Sequence, residues 1–191
     1  MKREIIDRID AAWRSVLDGT FAVEEINVSV DDFEFGWLTM TLSTVGGQKF
    51  IIDMSEVYSP FRDLREMLDG WVCMEGVMEI LIDCERYKVM MGMRPLGRGD
   101  FYGVLTCYTV DADVDDALVA VVNINRVANA IYMALKRAIL GSTALLRDPE
   151  SWSETDLIEE YLSEAISAEA YRQELFNRYL RIPLLECESR G

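Results

Sequence analysis

The stretch that decides the fold is residues 76–141, GVMEILIDCERYKVMMGMRPLGRGDFYGVLTCYTVDADVDDALVAVVNINRVANAIYMALKRAILG. In residues 77–85 apolar and polar side chains alternate, and this period of two is typical of a strand with one buried face. Residues 87–94 alternate again and end at a proline, and residues 101–110 are rich in aromatic and branched side chains. Residues 117–122 are almost entirely apolar, which indicates a strand covered on both faces. The short connections predict an antiparallel meander.

Helix and turn signals surround this meander. Asn125 is the predicted N-cap of a helix that ends at Gly141, where glycine allows a left-handed stop. Before the meander, residues 3–17 carry one apolar helical stripe, and the Gly46-Gly47 pair predicts a hairpin between two alternating stretches. A further short strand is predicted near residue 28. Ser59-Pro60 predicts the start of a helix that ends at Asp69-Gly70.

These elements predict an α+β fold, in which an antiparallel sheet of about seven strands has helices packed on one side. Residues 1–146 form the predicted α+β domain. Residues 147–191 form a predicted helical C-terminal extension that packs on the same domain. Within it, residues 154–181 keep an apolar stripe at helical spacing, so a homodimer through this stripe is the alternative.

The charge of the chain bears on its partners. The 191 residues carry a formal net charge of −15 and a pI near 4.4, which disfavours nucleic acid and anionic membranes. This charge permits a basic protein partner, but it can also serve only to keep the protein soluble. No run of residues approaches the length of a membrane span, and the first residues lack the apolar segment of a signal peptide. The four cysteines have no metal-ligand spacing. A reducing cytoplasm is the predicted location.

Several catalytic chemistries are disfavoured. The chain has no histidine, which removes Ser-His and Cys-His nucleophiles and the commonest zinc ligand. No glycine-rich loop opens a helix after a strand, so no nucleotide fingerprint is present. Residues 111–122 have acids at the first, third and fifth positions of a calcium loop, but Asp116 replaces the required glycine and Val122 the required glutamate. We therefore predict no metal, no cofactor and no enzymatic activity.

Two acidic groups remain as candidate partner-binding residues. The first lies on one face of the first meander strand, and its members are Glu79, Asp83 and Glu85. Such carboxylates can face solvent, bind a basic partner, or act as an acid–base pair. The second group lies in the predicted loop before the last strand, and its members are Asp111, Asp113, Asp115 and Asp116.

The overall pattern resembles two families of protein-binding proteins. A small, acidic, histidine-free α+β chain with the segment Ser-Pro-Phe-Arg-Asp-Leu (residues 59–64) after a hairpin resembles the bacterial immunity proteins of polymorphic toxin systems. This resemblance implies a protein that neutralises a cognate toxin, often through an acidic face. The element order is also similar to that of type III secretion chaperones, which implies a dimer that binds an effector segment. An enzyme that uses carboxylate, tyrosine or cysteine side chains is the third alternative.

Overall fold

The computed structural model describes residues 3–31, 37–55, 60–74, 78–97, 101–110 and 116–141, with the backbone alone given for a few positions. Three helices and seven strands lie in these ranges. In chain order they are α1 (Arg3–Leu17), β1 (Ile26–Val30), β2 (Trp37–Thr44), β3 (Lys49–Ser55), α2 (Phe61–Cys73), β4 (Glu79–Asp83), β5 (Lys88–Pro95), β6 (Tyr102–Thr109), β7 (Ala117–Asn123) and α3 (Ile124–Gly141). The predicted α+β class with antiparallel strands is therefore confirmed.

The strands form two sheets, and the prediction of one seven-stranded sheet is wrong. The first sheet has the order β1-β2-β3 and the second has the order β4-β5-β6-β7, with every neighbouring pair antiparallel. The chain leaves the first sheet after β3, forms α2, and only then enters β4. A helix thus replaces the hairpin that would have joined β3 to β4, and the two strands lie at the edges of different sheets.

One core joins the two sheets to α2 and α3. Alternate residues of β2 and β3, exemplified by Met40 and Phe50, are fully buried and face Trp71 of α2 and Ile131 of α3. In the second sheet the buried face includes Met91 of β5. Burial of alternate side chains on each strand follows the period of two that the sequence predicted.

Helix α1 packs on the opposite face of the second sheet, so the helices do not all lie on one side as predicted. Its residues Ala12 and Trp13 contact a small second core, in which Val104, Val119 and Val121 are buried. This arrangement explains the apolar sequence of β7, because both faces of that strand are covered.

Two helix boundaries differ from their predictions. Asn123, and not Asn125, caps α3, since its Oδ1 accepts a hydrogen bond of 3.0 Å from the backbone N–H of Arg126. Pro60 holds the N-cap position of α2, where a side-chain hydrogen bond is absent, and the helix continues past Gly70 to end at the left-handed residue Met74. Asp69-Gly70, the predicted end of this helix, therefore lies inside it, because burial of the helix in the core outweighs the local preference of glycine.

The meander and hairpin turns follow the sequence closely. β5 ends at its proline, and Glu85 in the β4–β5 turn has a positive φ of 63°. In the β2–β3 hairpin only Gly47 has a positive φ, 90°, and the backbone N–H of Thr44 donates to the carbonyl of Gln48 at 2.9 Å. The predicted extension, residues 147–191, and the predicted dimer stripe, residues 154–181, lie outside the described residues.

Candidate functional site

Helix α1 covers only half of the outer face of the second sheet. Its apolar stripe lies over β6 and β7, where Val104 and Val121 are buried. Within the half formed by β4 and β5, α1 reaches the end of β5, where the guanidinium carbon of Arg94 lies 4.8 Å from the centroid of the Trp13 ring. We call the remainder of this half, together with Tyr108 of the neighbouring strand β6, the β4–β5 face; its residues are Glu79, Leu81, Asp83, Lys88, Met90 and Tyr108.

Strand register places these six side chains together. Leu81 lies opposite Met90, which lies opposite Tyr108 on β6, and Asp83 lies opposite Lys88. Residues that are directly opposite on one face of an antiparallel pair have their Cβ atoms about 5 Å apart. Leu81 is 46% exposed, whereas Met90 and Tyr108 are half-buried. The centre of the β4–β5 face is thus a partly exposed apolar strip, and carboxylates lie at both ends of its β4 row.

The two carboxylates of this row have different surroundings. Asp83 Oδ2 lies 3.8 Å from Lys88 Nζ, and Asp83 Oδ1 accepts a hydrogen bond of 2.9 Å from the backbone N–H of Glu85. Glu79 lies opposite Gly92, so β5 presents no side chain to it. Burial raises the pKa of the Tyr108 phenol, and the negative charge of nearby Glu79 raises it further. Glu79 is therefore the less compensated of the two charges.

The other predicted residues are only partly placed. Glu85 is exposed, but it lies in the β4–β5 turn and not on the strand face with Glu79 and Asp83, which corrects that part of the prediction. Asp116 precedes β7, is half-buried, and its carbonyl accepts a hydrogen bond of 3.3 Å from the backbone N–H of Thr109. It lies at the same end of the sheet as Glu85. The remaining candidates, Asp111, Asp113 and Asp115, lie outside the described residues.

A second cluster of polar groups joins β3 to the β4–β5 turn. The phenol of Tyr87 lies 3.5 Å from Asp53 Oδ2 and accepts a hydrogen bond of 3.4 Å from the backbone N–H of Asp53. Burial raises the pKa of the Cys84 thiol to about 12, with a smaller contribution from the negative charge of Asp53. Burial likewise raises the pKa of Tyr87 to about 12. Both groups are neutral at pH 7, and a neutral thiol is a poor nucleophile.

The cysteines differ in state. Cys84 and Cys107 are buried free thiols, and burial raises the pKa of Cys107 as well. Cys73 at the end of α2 is disulfide-bonded. Disulfides are uncommon in a reducing compartment. The cytoplasmic location therefore remains a prediction.

A small cleft lies between the chain before β1 and the start of α3. Its volume is about 130 Å³, and its lining includes Glu24, Glu25 and Arg126. Arg126 Nη1 lies 3.4 Å from Glu25 Oε1, and both side chains are mostly exposed. Pockets that hold small organic ligands usually have volumes of about 300–1,000 Å³, so this cleft is small for such a ligand.

Neither a metal site nor a membrane-spanning helix is found in the described ranges. No three acidic, cysteine or histidine side chains there are grouped to hold a metal ion. None of the described helices combines the length and the apolar character needed to span a bilayer. Comparison with known proteins gives no match to any family model, curated protein or solved structure.

The sequence did not point to the residues that cover the far edge of the second sheet. Arg8 Nη1 donates a hydrogen bond of 2.9 Å to the carbonyl of Ala117, and the backbone N–H of Val119 donates one of 3.4 Å to Gln48 Oε1. The backbone N–H of Glu24 donates to the carbonyl of Val121 at 2.8 Å. Arg8 is one of several polar residues of α1, and the local sequence pattern does not indicate that its side chain binds the edge of β7.

Proposed function

We propose that this chain is a non-catalytic protein-binding module, and that its β4–β5 face binds a basic partner protein. One observation carries the proposal: α1 packs over β6 and β7 and not over the β4–β5 face, where an exposed leucine lies between two carboxylates. Met90 lies opposite Leu81 and Tyr108 lies opposite Met90, and methionine and tyrosine are both enriched at protein interfaces. The net charge of −15 attracts basic partners and accelerates their association.

The more specific form of the proposal comes from the sequence resemblance. In this form the chain is an intracellular immunity-type protein, and its partner is a basic toxin that it neutralises by occupying a functional surface. A secretion chaperone would instead dimerise and hold an effector segment. We pursue the immunity form, because the acidic row on β4 fits the acidic binding face that this resemblance implies.

Two features of the described residues favour binding over catalysis. Burial raises the pKa values of Cys84 and Tyr87 to about 12, so these groups are even harder to deprotonate than an ordinary thiol and phenol, and neither is a ready nucleophile or base at neutral pH. Asp83 already lies beside Lys88 and accepts a hydrogen bond from the turn backbone, so both of its carboxylate oxygens have protein partners. A general acid or base must instead be within hydrogen-bond reach of the proton that it transfers.

The test is a comparison of two charge-reversal variants of equal charge. Glu79→Lys with Asp83→Lys reverses the β4–β5 face, and Glu4→Lys with Asp10→Lys reverses two exposed acids on α1 as the control. Partners are captured from the native host, identified by mass spectrometry, purified, and titrated against the three proteins. We expect the face variant to bind at least about tenfold more weakly, and we expect wild-type affinity to fall with added salt.

The control decides the interpretation. Equal loss in both variants would mean that only overall charge matters, and it would contradict the assignment to the β4–β5 face. Unchanged binding of the face variant would contradict the proposal outright. Circular dichroism of each variant establishes that the fold is retained before binding is compared.

A further inference from the structure

We propose that β4 is a docking edge, to which an extended segment of the partner adds as a fifth antiparallel strand of the second sheet. The proposal rests on the function proposed above and specifies how the partner is recognised. The segment that fits best has five residues: the first and last are basic, the third is apolar, and the second and fourth can be of any type. The basic residues lie opposite Glu79 and Asp83, and the apolar residue lies opposite Leu81.

The direction of the backbone groups of β4 follows from two hydrogen bonds. Met93 donates its backbone N–H to the carbonyl of Met78, and Cys84 donates its N–H to the carbonyl of Tyr87, both at 2.9 Å. In an antiparallel ladder, hydrogen-bonded residues alternate with residues whose polar groups point to the other side. Ile80 and Ile82 therefore bond to β5, whereas Glu79, Leu81 and Asp83 direct their N–H and C=O groups away from it. Within the described ranges, β5 is the one strand that pairs with β4.

In the part of the chain that the structure describes, the two edge strands of this sheet, β4 and β7, differ in whether their outward backbone groups have hydrogen-bond partners. On β7 the outward groups of Ala117, Val119 and Val121 bond to Arg8, Gln48 and Glu24. Glu24 also forms a parallel bridge with Val122, so a short segment of the chain lies along that edge. An uncovered strand edge is a template for pairing with another chain, and folded proteins commonly cover such edges. Among the described residues, contacts of this kind are made at β7 and not at the outward groups of β4.

The side chains of β4 select the occupant of its edge. Glu79, Leu81 and Asp83 have their side chains on the β4–β5 face and their polar backbone groups at the edge. A strand added there would place its own alternate side chains directly opposite them, where opposite charges stabilise and like charges destabilise. A second copy of this chain is disfavoured, because symmetric antiparallel pairing about Leu81 places Glu79 of each copy opposite Asp83 of the other. A segment with alternate basic residues satisfies both carboxylates.

The probe is a blocked peptide of sequence Thr-Lys-Thr-Val-Thr-Lys-Thr, and the readout is amide hydrogen exchange by NMR. In the free protein we expect the Leu81 amide to exchange much faster than those of Ile80 and Ile82. Saturating peptide at low salt should slow Leu81 exchange by about tenfold or more, because the amide gains a strand partner. A Leu81 amide that is already protected in the free protein would overturn the inference. A Leu81 amide that stays unprotected with saturating peptide would also overturn it, and would mean that the carboxylates act only to keep the edge unpaired.

Matched peptides separate strand addition from simple charge attraction. N-methylation of the valine amide removes a donor that faces β4, and it should abolish the protection of Leu81. N-methylation of an adjacent threonine amide, which faces away, should leave that protection intact. A peptide of the same composition with adjacent lysines should bind more weakly. Equal protection by all four peptides would contradict an added strand.

Protein variants connect the docking edge to the natural partner. Leu81→Pro removes an N–H that does not bond to β5, and proline is tolerated at such edge positions, so we expect a folded protein that binds at least about tenfold more weakly. Leu81→Ala keeps the N–H and should retain more affinity than Leu81→Pro. If Leu81→Pro fails to fold, the exchange experiment on the wild-type protein carries the test.

The two proposals fail in distinguishable ways. A partner that is lost on reversal of Glu79 and Asp83 but binds Leu81→Pro normally contradicts strand addition and leaves the proposed function standing. Protection of Leu81 by the peptide, combined with no partner that distinguishes the face variant from the α1 control, supports the docking edge and contradicts the proposed function.

Discussion

Arg8 Nη2 donates a hydrogen bond of 2.7 Å to Gln48 Oε1, and this contact joins α1 to the loop between β2 and β3. The same amide oxygen accepts the backbone N–H of Val119, and the same guanidinium group donates to the carbonyl of Ala117. Two side chains from distant parts of the chain thus bind the outer edge of β7 together. Folding of the first sheet and coverage of the exposed edge of β7 in the second sheet therefore depend on each other.

Replacing Gln48 should weaken this coupling. Gln48→Ala removes the acceptor of both Arg8 and Val119, and we expect the free energy of unfolding to fall by about 1–2 kcal/mol, as measured by urea unfolding. Gln48→Glu keeps the acceptor and should recover part of the loss. The adjacent Lys49→Ala changes an exposed side chain and is the control, expected to be nearly neutral. An equal effect of the alanine variants at 48 and 49 would contradict the coupling.

Trp71 should be important through both its volume and its indole N–H. The side chain is fully buried, and Nε1 donates a hydrogen bond of 2.8 Å to the carbonyl of Met78, which ties α2 to the start of β4. Trp71→Phe keeps an aromatic ring but loses this bond and some volume, so unfolding should require about 1–3 kcal/mol less free energy. Trp37→Phe, at a half-buried indole, should have a smaller effect in the same urea experiment. The opposite order would show that the contact to Met78 contributes little.

Gly103 should not tolerate a side chain. A Cβ atom there would lie 2.9 Å from Met93 Sδ and 3.0 Å from the carbonyl oxygen of Arg94, on the neighbouring strand β5. We expect Gly103→Ala to lower the unfolding free energy by about 1–3 kcal/mol, because overpacking displaces β5. At Gly46 the nearest atom to an added Cβ is 3.4 Å away, an ordinary contact, so Gly46→Ala is the matched control. Thermal unfolding of the two variants measures the difference, and similar melting temperatures would contradict the steric argument.

Alkaline pH should destabilise the junction between β3 and the β4–β5 turn. The folded-state pKa values of Cys84 and Tyr87 are about 12, above their ordinary values of 9.0 and 10.0. Groups with a raised folded-state pKa stabilise the protein fully below the ordinary pKa, and this contribution is lost as pH rises toward the folded-state pKa. We therefore expect the urea midpoint to fall between about pH 9 and pH 12.

Variants at the two positions identify the source of that pH dependence. Cys84→Ala combined with Tyr87→Phe should make the urea midpoint depend less on pH over this window. The wild-type thiol at Cys84 should also resist alkylation at pH 8 until the protein is unfolded, because thiolate reactivity requires deprotonation and access. An identical pH dependence of the double variant and the wild type would assign the alkaline loss to other groups.

Much of the fold could be predicted because its determinants are local. Alternation in residues 77–85 reflects the two faces of β4, and burial of Ile80 and Ile82 with exposure of Glu79 and Leu81 follows that pattern. Helix α1 begins and ends where its apolar stripe does. The candidate site was predictable to the same extent, because Glu79 and Asp83 share a strand face as predicted. Glu85 lies in the turn instead, and alternation could not show this, because where a strand ends depends on the path of the whole hairpin.

The sequence by itself determined the α+β class, the extents of most strands and helices, and the acidic row on β4, because periodicity and turn chemistry act over a few residues. Tertiary structure alone decided that the seven strands divide into two sheets and that α1 lies on the opposite face from α2 and α3. It also decided that Arg8 and Gln48 cover the edge of β7. These features depend on contacts between residues far apart in the chain, and several arrangements satisfy the same local pattern. Only packing of the complete core selects among them.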